Sequence, residues 1–220
     1  MKILYSFERD EVSPQLPKEY SKVLEIGCSD GRFAKNLSPN CEYWGVEPYL
    51  IASNEASKVA FKVLNGTFDE KYDELPNNYF DLVICNDVIE HMDKHYEFLS
   101  KIKLKMTKKF HLVGSIPNVR YIGNLYNLLV LKDWKYVELG VLDKTHLRFF
   151  TKKSIIEMFE DTGYVVESLK GINRIELNFF SPKSLIKNFI TLLIGKDSMF
   201  TQFSFRISVK NFILLIVPLS

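Results

Sequence analysis

The chain has only three cysteines in 220 residues, and the spacing of Cys28, Cys41 and Cys85 includes no CxxC pair, which excludes a disulfide framework and a cysteine zinc site. Two of them lie in or beside apolar strand-like runs, as reduced thiols do, and the N-terminal apolar run is short and soon broken by charge. Together these features predict a cytoplasmic protein. A membrane span needs roughly 20 apolar residues, and the apolar tail from Phe212 to Val217 has six. Charge of one sign is also missing. A net charge of +2 gives no field that demands nucleic acid or an anionic surface as partner. Repeats and low-complexity tracts are absent. What remains, 46% apolar and 25% charged residues, is the composition of one globular domain with a substantial core.

Strand-like runs at 23–26, 42–46, 60–64, 80–85 and 110–115 alternate with helix-length segments, the pattern of βα units and a parallel sheet. After Glu90, the spacing of His95, Leu99, Ile102 and Met106 predicts one amphipathic helix, with Lys101, Lys103, Lys105, Lys108 and Lys109 as its solvated face. Thr151 caps a second helix that ends at Gly163, with Ile155, Ile156 and Phe159 as its buried stripe, and a strand from Tyr164 to Leu169 follows. Between Asn118 and Asp143 no element is legible, yet Tyr121, Leu125, Tyr126, Leu128, Leu129, Trp134 and Tyr136 cluster there, as in a lid over a binding site. A helix is expected from Ser181 to Lys196, with an apolar face able to pack on the domain or rest on a membrane. Strict alternation from Phe203 to Lys210 predicts a final, antiparallel strand.

Function is concentrated in the segment Val23-Leu-Glu-Ile-Gly-Cys-Ser-Asp-Gly-Arg-Phe-Ala34. An apolar run ends in Glu25, Gly27 and Gly31 then allow a turn tight enough for a ligand to approach the main chain, and the segment after Gly31 is expected to be a helix that directs its free N–H groups at the same spot. A dinucleotide fingerprint would carry a glycine between these two; here Ser29 stands in its place and Asp30 adds a charge hostile to pyrophosphate. About 20 residues after the first glycine, the run Tyr43-Trp-Gly-Val-Glu47 ends in a second carboxylate, placed to grip ribose hydroxyls. A nucleoside cofactor without phosphates therefore fits this loop better than a dinucleotide. The segment resembles motif I of the class I S-adenosylmethionine-dependent methyltransferases. That resemblance implies Glu25 at the methionine amine, Gly27, Cys28, Ser29 and Gly31 along the methionine end, Glu47 on the ribose, Thr67 and Phe68 at the adenine, and Asn86 beside the sulfonium. It also implies an α/β Rossmann-like sheet of seven strands, mostly parallel with the last strand antiparallel, and helices on both faces.

A second group follows the fourth strand, in Asn86-Asp-Val-Ile-Glu-His-Met92. If a helix starts near Asp87, then Asp87, Glu90 and His91 share one face at i, i+3 and i+4. Three readings fit this spacing. His91 is a general base oriented by Glu90; or Asp87, Glu90 and His91 hold a Mg²⁺ or Mn²⁺ that acidifies an acceptor hydroxyl; or Asp87 is an N-cap and the others only pack. The Asp-Val-Ile-Glu-His run resembles that of ubiquinone-pathway O-methyltransferases and of small-RNA terminal 2'-O-methyltransferases. In the latter a histidine five residues before a helix-opening threonine completes a metal site, which implies His146, five before Thr151, as a further ligand. His95 and His111 read as structural.

From Lys22 to Gly171 the motif order resembles the class I methyltransferases throughout. Ser115-Ile-Pro-Asn-Val-Arg120, Trp134-Lys-Tyr136 and Gly140-Val-Leu-Asp-Lys-Thr-His-Leu-Arg-Phe-Phe-Thr151 resemble a bacterial subgroup associated with surface-polysaccharide and glycosyl-transfer pathways. The resemblance implies a single methyltransferase domain over 1–220, with a core at 20–171, a lid insertion at 118–145, a C-terminal helix and strand at 181–210, and a sugar or glycolipid hydroxyl as acceptor. A metal-dependent RNA or quinone-type O-methyltransferase and a non-catalytic cofactor-binding partner in a polysaccharide assembly are the alternatives. The RNA reading lacks a concentrated basic track.

Overall fold

The computed structural model describes residues 8–174 and 195–209. Seven strands form one sheet in the order β3-β2-β1-β4-β5-β7-β6: β1 (Lys22–Ile26), β2 (Glu42–Glu47), β3 (Lys62–Asn65), β4 (Phe80–Asn86), β5 (Met106–Pro117), β6 (Tyr164–Arg174) and β7 (Phe200–Val209). Six run in one direction and β7 alone is reversed, as the α/β reading requires. Although last among the described strands, β7 does not close the sheet at its edge. It inserts between β5 and β6, where Phe203, Phe205 and Ile207 are buried by the alternation that announced the strand.

Alternation in the central strands divides the core in two. Leu24, Trp44, Val46, Val83 and Leu112 face a cluster closed by α2 (Phe68–Lys71), α3 (His95–Ile102) and α5 (Lys152–Asp161). Val23, Tyr43, Leu82, Ile84 and Val113 face a second cluster, closed by α1 (Leu50–Ala56) and by 3-10 turns at Asp10–Gln15 and Arg32–Asn36. The first gains depth from edge-on aromatic contacts such as Phe68 to Phe98 at 4.9 Å.

Several expectations are corrected. The segment after Gly31 is a single five-residue 3-10 turn rather than an α-helix, so it offers no helix dipole to a ligand. α3 stops at Ile102, a 3-10 turn covers Lys103–Lys105, and Met106 opens β5 rather than ending the helix stripe. The lysine face is not all solvated. Lys105 is buried, donating to the Leu75 carbonyl and Asn77, and Lys103 lies over the Tyr164 ring at 4.5 Å. In α5, which Thr151 caps through a reciprocal box with Ser154, Met158 replaces Ile156 in the buried set. The 118–143 segment does carry an element, α4 (Ile122–Tyr126), continued by a π turn at Asn127–Leu131. The helix expected from Ser181 falls outside the described residues as far as 194, after which Lys196–Met199 forms a 3-10 turn. The apolar tail at 212–217 also lies outside them.

Candidate active site

A cavity of about 1250 Å³ opens at the carboxyl ends of β1, β2 and β4. This is where a parallel sheet reverses its winding and exposes backbone groups to a ligand. Its floor is the loop after β1. Gly27 (φ 69°) and Gly31 (φ 78°) both hold left-handed backbone, and a Cβ at Gly27 would stand 2.8 Å from the Val88 side chain. Ser29 shares the left-handed region at φ 49°. Its N–H donates to Glu47 Oε2 at 2.8 Å while Tyr49 N–H donates to Oε1 at 2.9 Å, so β2's terminal carboxylate is fixed before any ligand arrives. Burial raises the Glu47 pKa, and these two bonds oppose the rise.

Glu25 lines the same cavity although only 3% exposed. Tyr43 Oη donates to its Oε2 at 2.6 Å. Burial pushes the Glu25 pKa up to about 8, with Tyr43 and the neighbouring Asn86 pulling the other way. Asn86 faces the cavity, but its amide makes no well-formed hydrogen bond. Cys28 packs where Gly45 has no side chain; a Cβ there would meet its Sγ at 2.5 Å. Thr67 caps α2, and it and Phe68 line the cavity's far wall. The loop that sequence reasoning selected and the two strand-end carboxylates therefore converge on one cavity.

The second group is rearranged. No α-helix begins at Asp87: that residue holds left-handed backbone at φ 52°, and only a 3-10 turn, Ile89–His91, follows. Asp87 is not one of the cluster that Glu90, His91 and His146 form. Asp87 pairs with Arg9 at 2.8 Å and accepts from Ser115 Oγ at 2.7 Å and Gln202 Nε2 at 2.8 Å. Asp87 therefore joins the N-terminal segment to β5 and β7. Arg9 and Gln202 also line the cavity, and no motif in the sequence marked either, because both arrive from distant segments.

Glu90, His91 and His146 do meet, with ligand atoms all within 4.8 Å of one another, and they are the set among the described residues able to hold an ion. Glu90 is fully buried and neither carboxylate oxygen has a hydrogen-bond partner. Burial first, and the Asp87 charge second, raise its pKa well above the usual carboxylate value. His91 Nδ1 is 3.1 Å from the Thr145 carbonyl and His146 Nδ1 is 3.0 Å from the Val141 carbonyl, which leaves both Nε2 atoms free of these tethers. The His91 ring is thus oriented by Thr145 rather than by Glu90. Burial lowers the His146 pKa, with His91 adding to the effect, and keeps the ring in the neutral form that ligates metals. The loop carrying His146 is stitched to this turn by Leu147 and Arg148 N–H groups donating to the Glu90 carbonyl. His95, at the start of α3, packs against Phe150 at 5.8 Å, and His111 pairs with Glu167 on β6 at 3.4 Å; both are structural.

Residues 4–169 match the methyltransferase domain family. The chain belongs to that family. It is 27% identical over 159 residues to a ubiquinone biosynthesis O-methyltransferase of Rickettsia bellii, covering 69% of this chain and 64% of that protein. The corresponding protein of Rickettsia canadensis is 26% identical, with 72% and 74% covered. The chain therefore spans just under two thirds of the R. bellii relative. An S-adenosylmethionine-dependent methyltransferase of Archaeoglobus fulgidus has the same fold at 21% identity, with a TM-score of 0.60 and 88% of each chain covered. One from Mesorhizobium loti has it at 11% identity, with a TM-score of 0.61 and 91% and 96% covered. Family and fold imply S-adenosylmethionine as cofactor, and the cavity has the chemistry for it: Gly27, where a Cβ would not fit, and the carboxylates of Glu25 and Glu47 all line it. Among the described residues, no helix is long and apolar enough to cross a membrane.

Proposed function

We propose that this chain is an S-adenosylmethionine-dependent O-methyltransferase whose acceptor is a hydroxyl of a sugar or glycolipid, activated beside Glu90, His91 and His146. The observation that carries the reading is the buried Glu90 carboxylate, unpartnered at both oxygens, set against two imidazoles whose Nδ1 atoms are already tied down. An orphaned carboxylate costs several kcal/mol unless a cation or a proton neutralises it. One carboxylate and two imidazoles form a donor set that suits Mn²⁺ better than Mg²⁺, which prefers oxygen. The carbonyls of Thr145 and Val141 act as the outer partners that orient ligating histidines. Asp87, occupied by Arg9, is not among the ligands in this reading.

The cofactor supplies a methyl group activated on a sulfonium, and a bound ion would supply acidity to a coordinated hydroxyl. The residues of the chain align and deprotonate. Ser29 N–H and Tyr49 N–H hold Glu47 for the ribose, Glu25 holds the amine, and His91 and His146 on the cavity wall hold the acceptor side. Alignment of reacting atoms accounts for much of such a rate gain. For the acceptor, the cavity lining includes Tyr121, Asn124, Asn127, Asn173 and Gln202, a set of amides with one aromatic ring that suits hydroxyl-rich ligands.

Methyl transfer to a panel of sugar, glycolipid and catechol acceptors, measured with labelled cofactor before and after chelation, tests the reading. Transfer to a sugar or glycolipid that is lost with a chelator and restored by Mn²⁺ is expected. Activity on catechols alone would remove the sugar acceptor. Full activity after chelation would leave His91 as a metal-free base, and absence of transfer to every acceptor would leave the chain as a cofactor-binding partner.

A further inference from the structure

Glu25 is an acid in an unusual position. Its side chain projects from β1 toward the face of the smaller apolar cluster, on the side of Val23 and Tyr43, and it lines the cavity. The groups that face it come from every neighbouring element: Tyr43 and Glu47 on β2, Cys28 in the glycine loop, Cys85 and Asn86 on β4, and Arg9 from the N-terminal turn. Tyr43, Cys28 and Cys85 are all kept neutral, because burial raises the pKa of each. Glu47 adds a negative charge. Arg9 is the single cation in this set, and its guanidinium is already engaged with Asp87 and Ser115. The direct contact on the Glu25 carboxyl is the Tyr43 hydroxyl, itself 4% exposed on average over the residue.

We infer that Tyr43 is a positioning residue for the methyl donor, and that Glu25 exchanges its proton for the donor's ammonium when the donor binds. This rests on the reading of Glu25 as the acid at the methionine amine. In the free protein Glu25 carries its proton on the oxygen that Tyr43 does not contact, since Arg9, the one cation facing it, is bound to Asp87 and Ser115 and makes no direct pair with this buried carboxyl. The ligand arrives with its ammonium protonated. The Glu25 O–H bond breaks, the proton leaves to solvent, and an ammonium–carboxylate pair remains, so charge and atoms balance with one proton released for each ligand bound. Tyr43 keeps its hydrogen bond throughout. By donating to the carboxylate it lowers the cost of ionisation and fixes the direction in which the free oxygen points.

Binding of S-adenosylhomocysteine, which retains the ammonium, by calorimetry in phosphate and in Tris provides the test, because the difference in heat counts protons released. At pH 6.5 the wild type is expected to release close to one proton. Affinity should rise about tenfold per pH unit below a break near 8 and level off above it, following the linkage between proton and ligand. Glu25→Gln should release none and flatten the profile. Tyr43→Phe, which removes one oxygen, should move the break to higher pH and weaken binding below it. 5'-Methylthioadenosine lacks the amino-acid end and should bind without proton release in any variant. Equal heats in the two buffers for the wild type, equal proton release with 5'-methylthioadenosine, or a wild-type profile in Tyr43→Phe would each overturn the inference. If 5'-methylthioadenosine binds and S-adenosylhomocysteine does not at any pH, the assignment of Glu25 to the amine fails with it.

Discussion

His146 Nε2 stands 4.0 Å from Glu90 Oε1, both side chains being buried, and that gap is too wide for a hydrogen bond. Donors that each lie about 2.0–2.2 Å from a shared ion are at most about 4.4 Å apart, so this pair spans an ion from nearly opposite sides. Mn²⁺ should therefore raise the melting temperature of the wild type in proportion to the logarithm of its concentration, since an ion that binds only the folded state stabilises it by mass action. Glu90→Gln and His146→Ala should each weaken this binding by at least about a hundredfold, more than the loss of an outer partner costs. A Mn²⁺ series in differential scanning fluorimetry reads this directly, and an unchanged shift in Glu90→Gln would remove the ion site.

Asp87 and Glu90 are three residues apart and feel each other's charge, yet Asp87 is bonded to Arg9, Ser115 and Gln202 while Glu90 sits with His91 and His146. Asp87→Ala removes the partner of a guanidinium that is 13% exposed, so it should cost about 1–3 kcal/mol of stability, the range for a hydrogen-bonded charge. The Mn²⁺ shift should survive that change, measured against the lower baseline. If Asp87→Ala folded with wild-type stability and lost the Mn²⁺ response, the two networks would have to be merged and the helical spacing restored.

Glu25 should set part of the pH dependence of stability in the cofactor-free protein. Its pKa is raised in the folded state from 4.5 to about 8, so the folded protein keeps a proton that the unfolded chain gives up. Stability from this group is complete below about 4.5, declines as pH rises, and is lost by the time pH passes about 8. Glu25→Gln should therefore show a gain over wild type that grows between pH 5 and 8, read from urea unfolding across that range. A constant offset at all pH values would mean the carboxyl is ionised in the fold.

The strands and the donor loop were legible because they depend on short-range pattern: Val23 to Ile26 and Phe80 to Cys85 are near-continuous apolar runs, and a buried parallel sheet requires them. The acidic cluster was legible in composition and misleading in geometry. Reading Asp87 as the start of a helix supposed right-handed backbone, whereas it holds left-handed backbone at φ 52° and its carboxylate pairs with Arg9. Arg9, Ser115 and Gln202 reach Asp87 from 78 residues upstream and from two later strands, a convergence that no local spacing encodes. The expected helix after Gly31 failed for a local reason. Few residues separate Gly31 from the turn at Ser38 and Pro39, which leaves room for one 3-10 turn. Tyr43 was seen only as part of an apolar run, since nothing in the run shows that its hydroxyl meets Glu25.

Gly27 offers the sharpest test of the donor loop. Its φ of 69° is open to glycine at little cost, and a Cβ there would stand 2.8 Å from Val88 Cγ2. Gly27→Ala therefore carries two separable penalties. The backbone penalty, about 1–2 kcal/mol for left-handed geometry in a residue with a side chain, is independent of Val88. The steric penalty is not, because Val88→Ala removes the methyl group that the new Cβ would strike. In a double-mutant cycle on unfolding free energy, the pair should thus be less destabilised than the sum of the singles, while cofactor affinity stays reduced in both Gly27 variants because the loop backbone has shifted. Strict additivity would mean that Val88 moves aside freely. Full cofactor affinity in Gly27→Ala would show that this glycine closes a turn and does nothing to admit the ligand.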